Sequence, residues 1–301
     1  MIFTIPYDLR ALWRCNHPEM QRLLFAAVQK TLFELTEDPK YLGARVGVIA
    51  ALHTWGQILQ LHPHIHCLVT GGGLSPDGQW IAVTNGFFLP VRVVRAMFRR
   101  KLIEAIRAGL RSGTLTVPEG QRVDRWERVL VKLGKKKWRV RIMERYPHGA
   151  GVATYLARYL RGGPIRNQRI LAFDGKTVRF SYTDNRASKT AGFKVWETLE
   201  LGVDKFLERL FQHVPEPDLK VVRYWGLYWP NPASRLEHCR KRLGQAPVEA
   251  AEELTWQQCC EHAGEKSPAC CPVCGVPLVR GPLLPPEKGH RPWKFPFLEA
   301  A

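Results

Sequence analysis

Two histidines one residue apart, His64 and His66 in LHPHIHCLVT (61–70), are the first residues along the chain whose spacing suits a metal ion. The run is apolar enough to extend as a strand. Residues i and i+2 of a strand share a face, so both imidazoles project together while Ile65 and Cys67 turn the other way. Pro63 has no amide hydrogen for a ladder, which predicts a strand beginning at His64 with His62 just outside it. Such a pair is equally compatible with solvated or core histidine, so the ligand reading needs support from elsewhere. A second set of ligand types stands near the C-terminus: Cys259, Cys260, His262, Cys270, Cys271 and Cys274. CPVCG (271–275) has the form of a zinc knuckle, and Cys259 or Cys260 with His262 would complete a tetrahedron around structural Zn²⁺. The third set is Tyr155 and Tyr159 in GAGVATYLARYLRGG (149–163), one helical turn apart, with Arg158 and Arg161 close by. By spacing alone two such tyrosines read as the edge of an amphipathic core.

The elements that must position these residues are partly legible. MIFTIP (1–6) predicts a strand, and the apolar residues from Leu9 to about Thr36 predict a long helix broken near Pro18. Runs 46–53 and 64–70 predict neighbouring paired strands, and GGGLSPDG (71–78) a loop before a short strand at 80–83. Residues 91–112 predict an amphipathic helix with Val94, Phe98, Leu102, Ile106 and Leu110 on one stripe and seven basic residues elsewhere. Its polar face is either a phosphate-facing surface or an ordinary solvated one. KKKWRVRIMERY (135–146) alternates basic and apolar residues, predicting a strand whose cationic side presents Lys137, Arg139 and Arg141 to a nucleic-acid backbone. In helix 149–163 the stripe Val152, Leu156, Leu160 predicts the docking face. Strands are predicted at 165–173, 177–183, 195–202 and 220–229, with a helix at 203–213. The fold class is α+β, with one domain over 1–243. Residues 244–301 make a linker, the zinc module and a tail, PPEKGHRPWKFPF, too rich in Pro and charge to pack alone.

The 301 residues are 45% hydrophobic, enough for a sizeable core, and no stretch approaches the roughly 20 apolar residues of a membrane span. No signal peptide is recognisable, so the expected compartment is the cytoplasm, with no membrane partner. Lys and Arg number 45 against 27 Asp and Glu, a net charge of +18 that calls for a polyanion. The excess is spread along the chain and interleaved with Trp, Tyr and Phe, which favours nucleic acid over a membrane surface.

In order, FTIP, HTWGQ, HPHIHCLV with GGG, and a helix YLARY running into GPIRNQR resemble the HUH transposases with two catalytic tyrosines, the rolling-circle transposases of bacterial insertion sequences. The match runs from residue 1 to about 230 and takes in the CPVCG segment. Family members usually carry an N-terminal cysteine-rich zinc-binding region, and this sequence begins at what matches their first catalytic strand, so it reads as a member lacking that region.

The resemblance implies a ferredoxin-like or RRM-like antiparallel sheet (the HUH endonuclease fold) flanked by helices. The two histidines would lie on a central strand and the tyrosines on a helix beside it. It implies a transposase, a metal-dependent single-strand DNA endonuclease and strand transferase, acting on single-stranded or hairpin DNA at transposon ends through a 5′-phosphotyrosine intermediate. His64 and His66 would hold Mg²⁺ or Mn²⁺, with His53 or Gln57 as third ligand; imidazole suits Mn²⁺ better. Tyr155 and Tyr159 would be the nucleophiles, and Arg158, Arg161, Arg166 and Arg169 would join Lys137, Arg139 and Arg141 in holding DNA. Two other readings stand beside it. A small-molecule oxygenase or hydrolase would leave the +18 charge unexplained and lacks a further ligand motif after His66. A non-catalytic nucleic-acid-binding remnant of such a transposase would bind DNA without cutting it.

Overall fold

The computed structural model describes residues 1–281 except 85–87, 144, 147–148, 161, 249–253, 265–266, 268, 272 and 280; of Arg158 it describes the backbone alone. The C-terminal tail and Arg161 therefore lie outside the described residues. Two compact units are formed, Met1–Gln245 and Ala246–Ala301.

The first unit is built on a six-stranded antiparallel sheet. Strand β1 (Ile2–Thr4) is followed by two helices, α1 (Arg10–Cys15) and α2 (His17–Glu37). The break between them falls at Asn16, whose side-chain amide donates to the Leu12 and Thr116 carbonyls, with Pro18 in the first turn of α2 where its missing N–H costs nothing. Then come β2 (Arg45–Trp55), β3 (Leu61–Leu74), β4 (Trp80–Ala82), α3 (Val91–Ser112), α4 (Val123–Lys135) and β5 (Arg139–Arg141). The strand order is β5, β1, β3, β2, and then β9 (Val222–Gly226), with β4 paired to the far end of β3. One face carries Phe3, Val48, Leu52, Ile65, Cys67 and Val140 into a core closed by Leu24, Leu32, Phe98 and Leu102 of α2 and α3.

The structure redraws several boundaries. β3 begins at Leu61 and runs through Pro63, because the pairing with β2 is irregular between His53 and Trp55 and the missing amide hydrogen falls at that irregularity. GGG (71–73) is strand, not loop. A Cβ at Gly72 would stand 2.6 Å from the Ile81 carbonyl oxygen, and one at Gly73 2.5 Å from that of Arg45, so the neighbouring strands approach closely there. The strand expected over 135–146 shrinks to Arg139–Arg141, since Lys135 closes α4, a helix not assigned from sequence although Trp126, Leu130 and Leu133 line its buried side.

Beyond α5 (Gly149–Leu160), strands β6 (Ile170–Phe173) and β7 (Thr177–Asp184), helix α6 (Asn185–Ala191), strand β8 (Val195–Gly202) and helix α7 (Val203–Phe211) make a second antiparallel layer, β6-β7-β8. Val178, Phe180 and Phe206 pack there around Leu59, which reaches across from the β2–β3 turn. Leu59 is fully buried and held at a φ of 60°, unfavourable for a bulky L-residue by roughly 1–2 kcal/mol. Burial in this second core offsets that cost. Arg209 donates to the Ile58 carbonyl, and Gln212 and His213 to that of Leu59, locking the turn to the second layer. Helix α8 (Pro232–Arg242) ends the unit. The second unit contains α9 (Trp256–His262), opened by a Thr255–Gln258 capping box, and an isolated bridge between Cys270 and Pro277. Among the described residues, no helix is long and apolar enough to cross a membrane.

Candidate active site

Three histidines converge on the sheet face opposite the α2–α3 core. His53 on β2 is the direct cross-strand partner of His64 on β3, and Ala51 that of His66, so two-residue periodicity and register together place the three rings on one face. Their ligand nitrogens all lie within 4.8 Å of one another, the single such group of His, Cys, Asp or Glu among the described residues. Hydrogen bonds fix two tautomers, because a carbonyl can only accept. His64 Nδ1–H donates to the His62 carbonyl at 2.6 Å, and His53 Nε2–H to the Tyr159 carbonyl at 2.8 Å. His64 Nε2 and His53 Nδ1 are thereby left as lone-pair donors. His66 Nδ1 is buried and has no hydrogen-bond partner. Burial, reinforced by the neighbouring imidazoles, pushes His64 down to about 3 and His66 to about 2, and burial lowers His53 as well. Neutral, preoriented imidazoles with an unpartnered buried nitrogen fit a divalent cation, and an all-nitrogen set suits Mn²⁺ better than Mg²⁺. Gln57 lines the same cleft, where its side-chain carbonyl accepts from the Thr183 amide at 3.4 Å and its backbone carbonyl accepts from Arg169.

Helix α5 covers this face. The ring of Tyr159 stacks on His66 with centroids 4.1 Å apart, and Tyr155 and Tyr159 are 4.5 Å apart. The side chain that α5 buries most deeply is Tyr155, at 8% exposure; Val152, Leu156 and Leu160, expected from sequence to dock the helix, are half-buried. The histidine face offers aromatic edges rather than an aliphatic floor, so the tyrosines pack on it. The two are not equivalent. The Tyr155 hydroxyl is buried without a partner and its acidity is suppressed by that burial, whereas Tyr159 lines an open cleft.

That cleft, of about 810 Å³, runs from the histidines to the second layer. Arg139 and Arg141 stand on its wall. They occupy the same cross-strand rows as the histidines, Arg139–Thr4–His64 and Arg141–Ile2–His66, two strand spacings or about 10 Å away. Arg166 lines it too. Arg169 is committed to the Ser181 and Gln57 carbonyls, so it braces the cleft rather than offering a free cation. Lys137 is exposed outside the cleft. Of the basic residues on α3, Arg99, Arg100, Lys101 and Arg107 find acceptors on the protein. Lys194, Trp55 and Trp196 also line the cleft and were not singled out from sequence. Trp55 stacks on His53 at 4.3 Å. Trp196 falls in the strand expected at 195–202, but nothing local told which of its faces meets the histidines.

In the second unit the Gly275 amide donates to the Cys271 carbonyl and Gly275 takes a φ of 75°, a tight return of the backbone between the two. Backbone amides of Cys274 and Val273 hold the Cys271 thiol below its ordinary range. Cys259, Cys260 and His262 sit on α9, and their ligand atoms do not gather with those of Cys271 and Cys274.

A histidine-lined centre thus lies beneath a tyrosine pair in a basic cleft. Residues 47–235 match the family Y2_Tnp, described as "Putative transposase". The chain is 34% identical over 283 residues to "Putative transposase y4qJ" of Sinorhizobium fredii (strain NBRC 101917 / NGR234), covering 91% of this chain and 70% of that protein. It is 29% identical over 234 residues to "Transposase for insertion sequence element IS801" of Pseudomonas savastanoi pv. phaseolicola, covering 75% of this chain and 53%, about half, of that relative. No solved structure matches. The chain belongs to the Y2_Tnp transposase family.

Proposed function

We propose that the chain is a transposase of the HUH class that cleaves and rejoins single-stranded or hairpin DNA at transposon ends. The observation that carries this reading is the ring of Tyr159 lying against His66 inside the histidine group. In support, the strand order β5-β1-β3-β2, leaving aside β4 at the far end of β3 and β9 beyond β2, matches the ferredoxin-like order expected of an HUH arrangement. A divalent ion held by His53, His64 and His66 would polarise the phosphoryl oxygens of a bound phosphodiester. Arg139, Arg141 and Arg166 hold the strand's phosphates along the cleft. The Tyr159 oxygen attacks phosphorus and its proton passes to solvent; the bond from phosphorus to the 3′ oxygen breaks, and that oxygen leaves as a hydroxyl. The resulting 5′-phosphotyrosyl bond keeps the energy of the phosphodiester, so a 3′-hydroxyl can attack it and reseal the strand without ATP. Tyr155, one turn away, receives the second end once α5 shifts to expose its hydroxyl. Cys271 and Cys274 would hold a structural Zn²⁺ together with ligands from α9 that binding of the ion would have to draw in.

The test is covalent trapping on a labelled single strand with Mn²⁺ or Mg²⁺. The parent forms an adduct that mass spectrometry maps to Tyr159 first. Tyr155→Phe, Tyr159→Phe together form none while staying folded and bound to DNA. A covalent complex in that double variant places the nucleophile elsewhere, with Tyr146 or Tyr182 next. Full nicking in excess chelator refutes the metal role.

A further inference from the structure

The cleft has a second wall whose chemistry the cleavage step does not use. Trp196, the second residue of β8, lies opposite Thr183 of β7, and the two residues face the cleft with Ser181. Its indole is 56% exposed, and among the described residues no ring packs against it. The backbone beneath it is held in place: β7 and β8 pair without a break over eight residues each, and the layer is pinned to the β2–β3 turn. The charged side chains lining the cleft, Arg139, Arg141, Arg166, Arg169 and Lys194, are all cationic; no Asp or Glu is among the described lining residues. The occupant must therefore be polyanionic and also present a flat apolar face. An unpaired strand meets both requirements, whereas a duplex keeps its base faces stacked inside.

We infer that Trp196, with Lys194 beside it, is a nucleobase platform: its indole stacks on one base of the strand flanking the phosphate at the histidines. The inference rests on the proposed single-strand function of this cleft. It assigns a binding role to the second layer, which carries none of the three histidines and neither Tyr155 nor Tyr159. Stacking reads no hydrogen-bond pattern, so the platform sets where the strand lies rather than which base it bears.

The experiment measures affinity for a labelled mixed-sequence oligodeoxynucleotide and for the matching duplex, with the full chain in chelator so that no cleavage is needed. Trp196→Ala weakens single-strand binding about tenfold, while Trp196→Phe retains most of it. Duplex affinity and the slope of log affinity against log salt stay unchanged, because no charge is removed. An abasic site walked along the oligonucleotide finds one position where the parent loses affinity and Trp196→Ala loses none further. Unchanged single-strand affinity in Trp196→Ala, an equal loss on duplex, or no abasic position coupled to the tryptophan overturns the platform. Failure of the cleavage reading is separable, since it appears in adduct formation and leaves these affinities untouched.

Discussion

The histidine centre and the cysteine-rich segment are both candidate metal sites, yet they are built in opposite ways. His53, His64 and His66 sit on two long paired strands inside a six-stranded sheet, and their nitrogens are within 4.8 Å of one another before any ion is considered. In the unit beginning at Ala246 no described residue is buried; Trp256 is 60% exposed and Val273 93%. A segment without a core cannot offset the entropy of ordering itself. In the first case the fold makes the site. In the second, a bound ion would have to make the fold, with apparent binding energies of roughly 10–16 kcal/mol available from structural zinc.

The largest expected effect separates the two. His64→Ala with His66→Ala lowers adduct formation by at least about a thousandfold, the scale on which electrostatic stabilisation of a reacting group is lost. The same variant keeps the cooperative unfolding of residues 1–245 and its salt-sensitive DNA affinity. Collapse of that unfolding transition would show that the histidines hold the sheet together, and the comparison would fail. Cys271→Ser with Cys274→Ser is the converse. Elemental analysis should fall from about one zinc per chain to none, with amide exchange in 255–281 rising to the rate of an unfolded chain. Zinc retained after removal of 255–301 places that ion elsewhere.

Next in size is Leu59. Its side chain fills the second core while its backbone carries a positive φ. Leu59→Ala should cost about 2–4 kcal/mol in denaturant unfolding by opening a cavity. Leu59→Gly should cost less than cavity size predicts, since glycine relieves the backbone strain. A loss confined to the second layer, read by hydrogen exchange of β7 and β8, would show that the histidine centre stands without it.

How far the sequence reveals this architecture depends on the range over which each signal acts. The shared face of His64 and His66 follows from a period of two, and the expected pairing of 46–53 with 64–70 left His53 and Gln57 as alternatives for a third member, of which the structure brings His53 within 4.8 Å of the pair. Pro63 and GGG misled because their local preferences are turn-like, while the irregular β2–β3 pairing and the close approach of β4 accept them as strand. On α5 the aliphatic stripe accounted for only part of the docking face, since Tyr155 is buried more deeply than Val152, Leu156 or Leu160 and meets a cluster of imidazoles. Leu59, Lys194 and Trp196 were invisible for a related reason: their partners lie over a hundred residues away in the chain, and no local pattern encodes such contacts.

The smallest expected effect is a pH dependence that sits between the two layers. His213 is buried, its Nε2–H donates to the Leu59 carbonyl at 3.0 Å, and its Nδ1 accepts from the Thr54 hydroxyl at 3.0 Å. Both ring nitrogens are satisfied by the neutral ring, and burial, aided by His17, pushes the group down to about 4, against the ordinary 6.5. The unfolded chain therefore binds a proton that the folded one refuses between about pH 6.5 and 4. Stability from this group is complete above 6.5 and is lost as pH falls through that window. At pH 5 the loss is roughly 2 kcal/mol from His213 alone. Denaturant unfolding of His213→Gln, which cannot titrate, should show a drop between pH 7 and pH 5 smaller than the parent's by that amount. An identical drop in both proteins would mean that folding does not shift the proton affinity of His213; the protonated ring would keep its Nε2–H bond to the Leu59 carbonyl and lose only the bond that Nδ1 accepts from Thr54.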